Sequence, residues 1–198
     1  MAGFDAAAVD YGGLGAEPTY EAVASRIAAR LEGSGWTLVV HSGAGGLVPG
    51  VVEAMSDPAG VIFVDAILPH PGRSWAATAP AALVERLASL AIHGMLPPWN
   101  GWFASDPLPG MLTNGSLRAA FAEALPLTPA SWLSAVAPEL HGWSQASCAF
   151  LQLSAGYAAE AADARARGWP THRLDLHHLA MITDPGKVAG ALLSLEAA

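Results

Sequence analysis

Charge is scarce in this chain. Of its 198 residues 13% are charged and 53% hydrophobic, and Lys187 is the only lysine. With a net charge of −8 the chain lacks the lysine and arginine footprint that a nucleic-acid backbone requires, which argues against a nucleic-acid partner. Cysteine is almost missing. Cys148 stands alone, so no internal disulfide is possible, and with nothing nearby to lower its pKa it reads as a buried, inert thiol. No uninterrupted apolar run is long enough to cross a bilayer, and the opening residues, which include Asp5 and Asp10, do not resemble a signal peptide. No membrane partner and a cytoplasmic location are therefore expected. There is also no internal repeat and no low-complexity linker.

What remains is a chain rich in buried surface and poor in solvating surface, as a helix-covered sheet or a subunit interface would produce. Its length suits one domain. The excess of Ala, Gly and Pro, with arginine favoured over lysine, hints at a GC-rich genome. Strands are expected at Gly3–Asp10, Thr37–His41, Ala59–Ala66, Cys148–Leu153 and Thr171–Leu176. The run Val61-Ile-Phe-Val64 is apolar throughout, which fits a strand buried on both faces. Helices are expected over Ala22–Leu31, capped by Thr19 or Glu21 and stopped by Gly33 and Gly35, and over Leu47–Met55, Tyr157–Arg167 and Pro185–Leu195. Between Pro69 and Trp143 the texture changes to short helical patches broken by prolines, with Trp75, Trp99, Trp102, Phe103 and Trp132 among them.

Strands alternating with helices imply an α/β fold with a parallel sheet wound right-handedly, and ligands of such sheets bind at the carboxyl ends of the strands. Ser42, Asp65, Ser154 and His178 all fall at or just beyond expected strand ends. The most informative stretch is Trp36-Thr-Leu-Val-Val-His-Ser-Gly-Ala-Gly-Gly46, a short apolar strand that ends at a serine before a glycine-rich turn and a helix. That is the shape of a nucleophile elbow, which lifts a side chain clear of the sheet and brings backbone N–H groups close to it. Gly43, Ala44 and Gly45 would let strand, turn and helix approach where a larger Cβ would clash. The usual G-x-S-x-G pattern is matched in part, because Val40 and Ala44 occupy the flanking glycine positions. A tight strand-to-helix connection with no chemistry is the alternative.

Nucleophilic serine chemistry needs a base for the hydroxyl proton and an acid to orient that base. His178 is best placed among the seven histidines, since it follows the last expected strand and precedes a helix. His177 is its rival; adjacent residues point apart, so at most one faces Ser42. His41 precedes the serine and should point away from it, which gives it a structural role or a place in the substrate-binding wall. Asp65 is the candidate acid, because an aspartate after four apolar residues is costly without a partner; capping of the turn into Ile67–His70 is the other reading. After the Cys148–Leu153 strand there are Ser154 and Tyr157 but no carboxylate before Glu160.

Other ligands fit poorly. Gly43-Ala-Gly45-Gly46-Leu-Val48 falls short of a dinucleotide fingerprint at Val48, and no Lys-Ser/Thr pair of a phosphate loop follows. His172, His177 and His178 would be scattered by strand alternation, so no metal and no cofactor are expected. The tryptophans form either a substrate-enclosing lid or the core of a small helical layer.

On Leu38-Val-Val-His-Ser-Gly-Ala-Gly45, Val61-Ile-Phe-Val-Asp-Ala66 with Pro69-His-Pro-Gly72, and His178-Leu-Ala-Met-Ile-Thr-Asp-Pro185, the chain resembles the α/β-hydrolase superfamily, and within it short bacterial members with an HSGAG elbow. The resemblance implies Ser42 as nucleophile, His178 as base, Asp65 as acid, the Gly43 amide as oxyanion donor, and a helical cap inserted after the third expected strand. The corresponding division is 1–68 for the first part of the core, 69–143 for the cap and 144–198 for the rest of the core. Family members begin with three further strands and a helix, and a loop there supplies a second oxyanion donor; this chain lacks that segment, as if it started late. The resulting exposed edge beside the nucleophile strand is expected to be covered in a homodimer or by another chain.

A missing oxyanion donor costs about 2.7–4 kcal/mol of transition-state stabilisation. The leading expectation is still a serine-dependent hydrolase or acyl transferase acting on an ester or thioester of an apolar small molecule, with His41, His70, Trp75, Trp99 and Trp102 toward the substrate. The alternatives are a lyase, cyclase or similar step in bacterial small-molecule biosynthesis on the same scaffold, and a non-catalytic binding protein.

Overall fold

Thr19 opens the first helix by accepting a hydrogen bond from the Ala22 amide on its side-chain oxygen, so of the two candidate caps it is the one used. The computed structural model describes residues 6–9, 19–31, 33–55 and 58–196. In chain order the strands are β1 Thr37–Ser42, β2 Gly60–Ala66, β3 Met95–Leu96, β4 Thr128–Pro129, β5 Ser147–Gln152 and β6 Thr171–Arg173. The helices are α1 Tyr20–Ala28, α2 Val48–Ala54, α3 Ala81–Leu90, α4 Leu108–Met111, α5 Gly115–Ala124, α6 Ser131–Ser134, α7 Ala158–Ala166, α8 Ala180–Thr183 and α9 Pro185–Glu196. Strands β1, β2, β5 and β6 form a parallel sheet in that order.

Every residue of β2 is buried, which the unbroken apolar run anticipates. Val61 and Phe63 point to one face with Cys148 and Phe150, under Val48 of α2 and Ala161 and Ala164 of α7. Ile62 and Val64 point to the other with Ala149 and Leu151, against Val188, Ala191 and Leu195 of α9. Val40, in place of the usual glycine, packs against the first of these clusters. Helices therefore cover both faces, as the α/β reading requires.

Two boundaries differ from expectation. The final strand stops at Arg173, because Leu176 N–H bonds back to the Leu174 carbonyl as well as to that of Leu153, and the chain turns there. The helix after the elbow begins as a 3-10 turn over Gly43–Leu47 and becomes α-helical at Val48. The strand expected at Gly3–Asp10 lies largely outside the described residues. Of that segment, residues 6–9 are not in a strand and line a groove of about 870 Å³ along β1 and α9. Among the described residues β1 is the edge of the sheet, and its Val39 is 53% exposed.

Residues between β2 and β5 carry α3 to α6 and the small antiparallel β3–β4 pair. Leu87, Leu96 and Leu133 form a core of their own there, with Trp75 and Trp102 packed on it. Leu108 and Leu112 instead pack on Leu179, tying this inserted helical cap to the loop that carries His178. Among the described residues no helix is long and apolar enough to cross a membrane.

Candidate active site

Ser42 and Asp65 occupy one irregularity in the parallel ladder. His41 pairs with Val64 but Ser42 pairs with Ala66, so Asp65 is the extra residue of β2. Both have left-handed backbones, with φ of 56° for Ser42 and 42° for Asp65. Such conformations cost about 1–3 kcal/mol each and persist where surrounding structure imposes them. Here the bulge turns the Asp65 side chain along the strand ends, and the elbow raises Ser42 into the cleft above them.

The steric demand on the elbow falls on Gly45, as expected, and on Gly46, but not on Gly43. A Cβ at Gly45 would lie 1.9 Å from the Ile67 carbonyl oxygen, and one at Gly46 would lie 3.2 Å from Nε2 of His70. Gly43 would meet nothing within 4 Å, because it sits exposed at the mouth of the turn before the chain descends onto β2.

His178 arrives from the loop before α8 and joins the two. Its Nε2 is 3.1 Å from Ser42 Oγ, and its Nδ1 is 3.0 Å from Asp65 Oδ2. Asp65 is fully buried and His178 is nearly so. Asp65 Oδ1 accepts from the amides of Leu153 at 2.7 Å and Ser154 at 2.9 Å, and Oδ2 accepts from Ser154 Oγ at 2.6 Å. Burial alone would raise the pKa of this carboxyl. The hydrogen bonds from His178, the Ser154 hydroxyl and the two amides outweigh burial and hold it below the usual range, so Asp65 is a carboxylate. It does not cap the turn into Ile67–His70.

His177 points elsewhere. Its Nδ1 accepts from the Leu179 amide at 3.3 Å, and its Nε2 lies 3.0 Å from Thr183 Oγ1. His41 requires a correction, because it does not line the cleft. Its Nε2 instead donates to the His178 carbonyl at 2.9 Å, and its ring lies 4.3 Å from that imidazole. Strand alternation sends it beneath His178, where burial and then the neighbouring His178 lower its pKa to about 4, so it is neutral.

The cleft over these groups has a volume of about 1280 Å³. His70, Trp75, Trp99 and Trp102 line it, joined by Phe103 and Trp132 from the cap and Tyr20 from α1. Trp75 and Trp102 also pack on the cap's own core, so they are both cleft wall and core. His70 Nδ1 donates to the Arg73 carbonyl at 2.9 Å, which leaves Nε2 as a hydrogen-bond acceptor beside Gly46. Cys148 is remote from the cleft, and burial pushes its thiol up to about 11.

Sequence reasoning named Ser154 and Tyr157 but gave neither a role. Ser154 holds Asp65, and the Tyr157 hydroxyl lies 3.2 Å from Ser42 Oγ while its ring stacks on His178 at 5.1 Å and 8°. The available signal was their place just after β5, at the same sheet end as Ser42 and Asp65.

A parallel sheet covered by helices, with a serine on a sharp strand-to-helix turn and a helical cap interposed before the later strands, is the α/β-hydrolase fold. Among solved structures, twelve chains match this one. One is an extracellular α/β-hydrolase from a Paenibacillus species, described as sharing structural and functional homology with tobacco salicylic acid binding protein 2. The superposition has a TM-score of 0.76 at 18% sequence identity and covers 93% of this chain and 82% of that one. No protein-family model matches the chain, and no curated protein matches it.

Proposed function

We propose that the protein is a serine hydrolase acting on esters or thioesters of apolar, aromatic-sized small molecules, with Ser42 as nucleophile, His178 as general base and Asp65 as its orienting acid. The observation that carries this reading is the continuous contact Ser42 Oγ, His178 imidazole, Asp65 carboxylate at 3.1 and 3.0 Å, opening into an aromatic cleft. Asp65 has the state its role needs. Asp65 is ionised, so it accepts the Nδ1 proton and leaves Nε2 free to take the one on Ser42.

As Ser42 Oγ bonds to the acyl carbon, its proton passes to His178 Nε2 and the carbonyl electron pair moves onto oxygen, where the Gly43 amide donates to it. The imidazolium is stabilised by Asp65. The tetrahedral adduct then collapses, the bond to the leaving alcohol or thiol breaks, and Nε2 returns the proton to it. Water repeats the sequence against the acyl-enzyme, releasing the acid and restoring Ser42; an alcohol in place of water would make the same steps an acyl transfer. No cofactor enters. His70, Trp75, Trp99 and Trp102 are proposed to hold the substrate, apolar rings supplying area and the His70 acceptor a point of orientation. The functional description of the Paenibacillus hydrolase makes esters of small aromatic acids suitable first substrates.

A fluorophosphonate probe with intact-mass readout tests the proposal. Stoichiometric labelling that disappears in Ser42→Ala is expected. Labelling that survives the substitution, or none in the wild type, overturns it.

A further inference from the structure

We propose that Tyr157 is a fourth catalytic residue, a phenol whose O–H is fixed as a hydrogen-bond donor on the reacting oxygen of Ser42. This rests on the hydrolase reading and adds a component that the reading does not contain.

The direction of the bond follows from counting protons. Asp65 is a carboxylate with both oxygens accepting, so the proton between it and His178 is on Nδ1. Neutral His178 then has only a lone pair at Nε2, and Ser42 must donate its single hydroxyl proton there. With that proton used, Ser42 Oγ can only accept from Tyr157, 3.2 Å away. The bonds therefore run one way, from Tyr157 to Ser42 to His178 to Asp65.

Packing holds the phenol in place. Its ring lies flat on the His178 imidazole at 5.1 Å and 8°, while Trp99 at 5.7 Å and His41 at 4.3 Å contact the same imidazole. The chain delivers it through the turn that follows β5. Ser154 binds Asp65, the 3-10 turn Ala155–Tyr157 follows, and Tyr157 then stands at the head of α7. One turn thus holds both the acid and the nucleophile. Burial raises the Tyr157 pKa, and Asp65 and Glu160 add to the rise, so the phenol keeps its proton.

A donor on Oγ favours the charged form of that oxygen. As the Ser42 proton leaves for His178 and Oγ gains negative character, the bond to Tyr157 strengthens; when the acyl-enzyme breaks down and Oγ becomes the leaving group, the same donor stabilises it again. Tyr157 transfers no proton. The contact thereby lowers both barriers at the nucleophile, in a site where the usual second oxyanion segment is not evident among the described residues.

Tyr157→Phe removes the hydroxyl and keeps the stacked ring. Fluorophosphonate labelling of Ser42 is expected to slow about ten- to hundredfold, the effect of one hydrogen bond to a developing charge, with an unchanged melting temperature. On an ester substrate the loss should fall in kcat and not in KM. Labelling within twofold of wild type from pH 6 to 9 would overturn the proposal. Tyrosine-selective ¹³Cζ NMR decides the contact independently of turnover, since Ser42→Ala removes the acceptor of the phenol proton and should shift the Tyr157 ¹³Cζ resonance at neutral pH. An unmoved resonance would overturn the inference even if Ser42 is labelled. Absence of wild-type labelling would instead count against the hydrolase reading.

Discussion

Replacing Asp65 with asparagine should leave the fold standing and disable the chemistry, for a reason visible in its hydrogen bonds. Oδ1 faces two backbone amides, at 2.7 and 2.9 Å, which cannot turn away. The asparagine carbonyl must take that place, which puts its NH2 where Oδ2 stood, against Ser154 Oγ and His178 Nδ1. Ser154 can rotate its hydroxyl to accept. His178 can accept only by moving its proton to Nε2, and Nε2–H then faces Ser42 as a donor and cannot take the serine proton. Loss of charge-assisted bonds costs about 1–3 kcal/mol of stability. The wrong tautomer costs a factor of about 10⁴ in kcat, or about 5 kcal/mol of transition-state stabilisation. Hydrolysis of p-nitrophenyl esters gives the rate, and ¹⁵N NMR of the imidazoles gives the tautomer. An Asp65→Asn enzyme within tenfold of wild type, or one whose His178 proton remains on Nδ1, would refute the argument.

Stability should fall as pH drops from about 6.5 to about 4, because over that range an unfolded His41 takes up a proton that the folded one refuses. The loss is on the order of 3 kcal/mol, and urea titrations across this range should show it in wild type and not in His41→Gln. Asp65 contributes in a separate window: its lowered pKa stabilises the fold above the unfolded carboxylate value, and that contribution is lost only at more acid pH. Gly45→Ala should destabilise by more than about 2 kcal/mol, since its Cβ would meet the Ile67 carbonyl, whereas Gly43→Ala should melt near wild type; equal melting temperatures would contradict the packing account. His70→Leu should raise KM most for substrates carrying a hydroxyl or N–H that the Nε2 acceptor can bind, and an equal effect on purely apolar esters would remove His70 from recognition. The half-exposed edge at β1 predicts a homodimer in sedimentation velocity; a clean monomer would show that this edge needs no second copy.

The sheet was legible because its signals are local. An apolar run between turn residues admits few structures, and β2 and β5 fall within a residue or two of the expected bounds. The end of the last strand was harder to place, because Leu174 and Leu176 look like strand residues and are instead packed on the sheet face by a turn. The elbow was readable from Ser42 and its glycines, Gly45 among them, though the demand on Gly46 in place of Gly43 was not, since it comes from the His70 ring beyond the end of β2.

Local chemistry along the chain thus fixed the strands, the serine on its turn, and an aspartate and a histidine at strand ends. Only the tertiary fold turned His177 toward Thr183, sent His41 beneath His178, and brought Ser154 and Tyr157 to the site. That last outcome depends on distances between residues far apart in sequence, 89 positions for Asp65 and Ser154 and 115 for Ser42 and Tyr157, and no local pattern encodes a distance of that kind. A parallel sheet supplies it by stacking the ends of strands that are far apart in sequence.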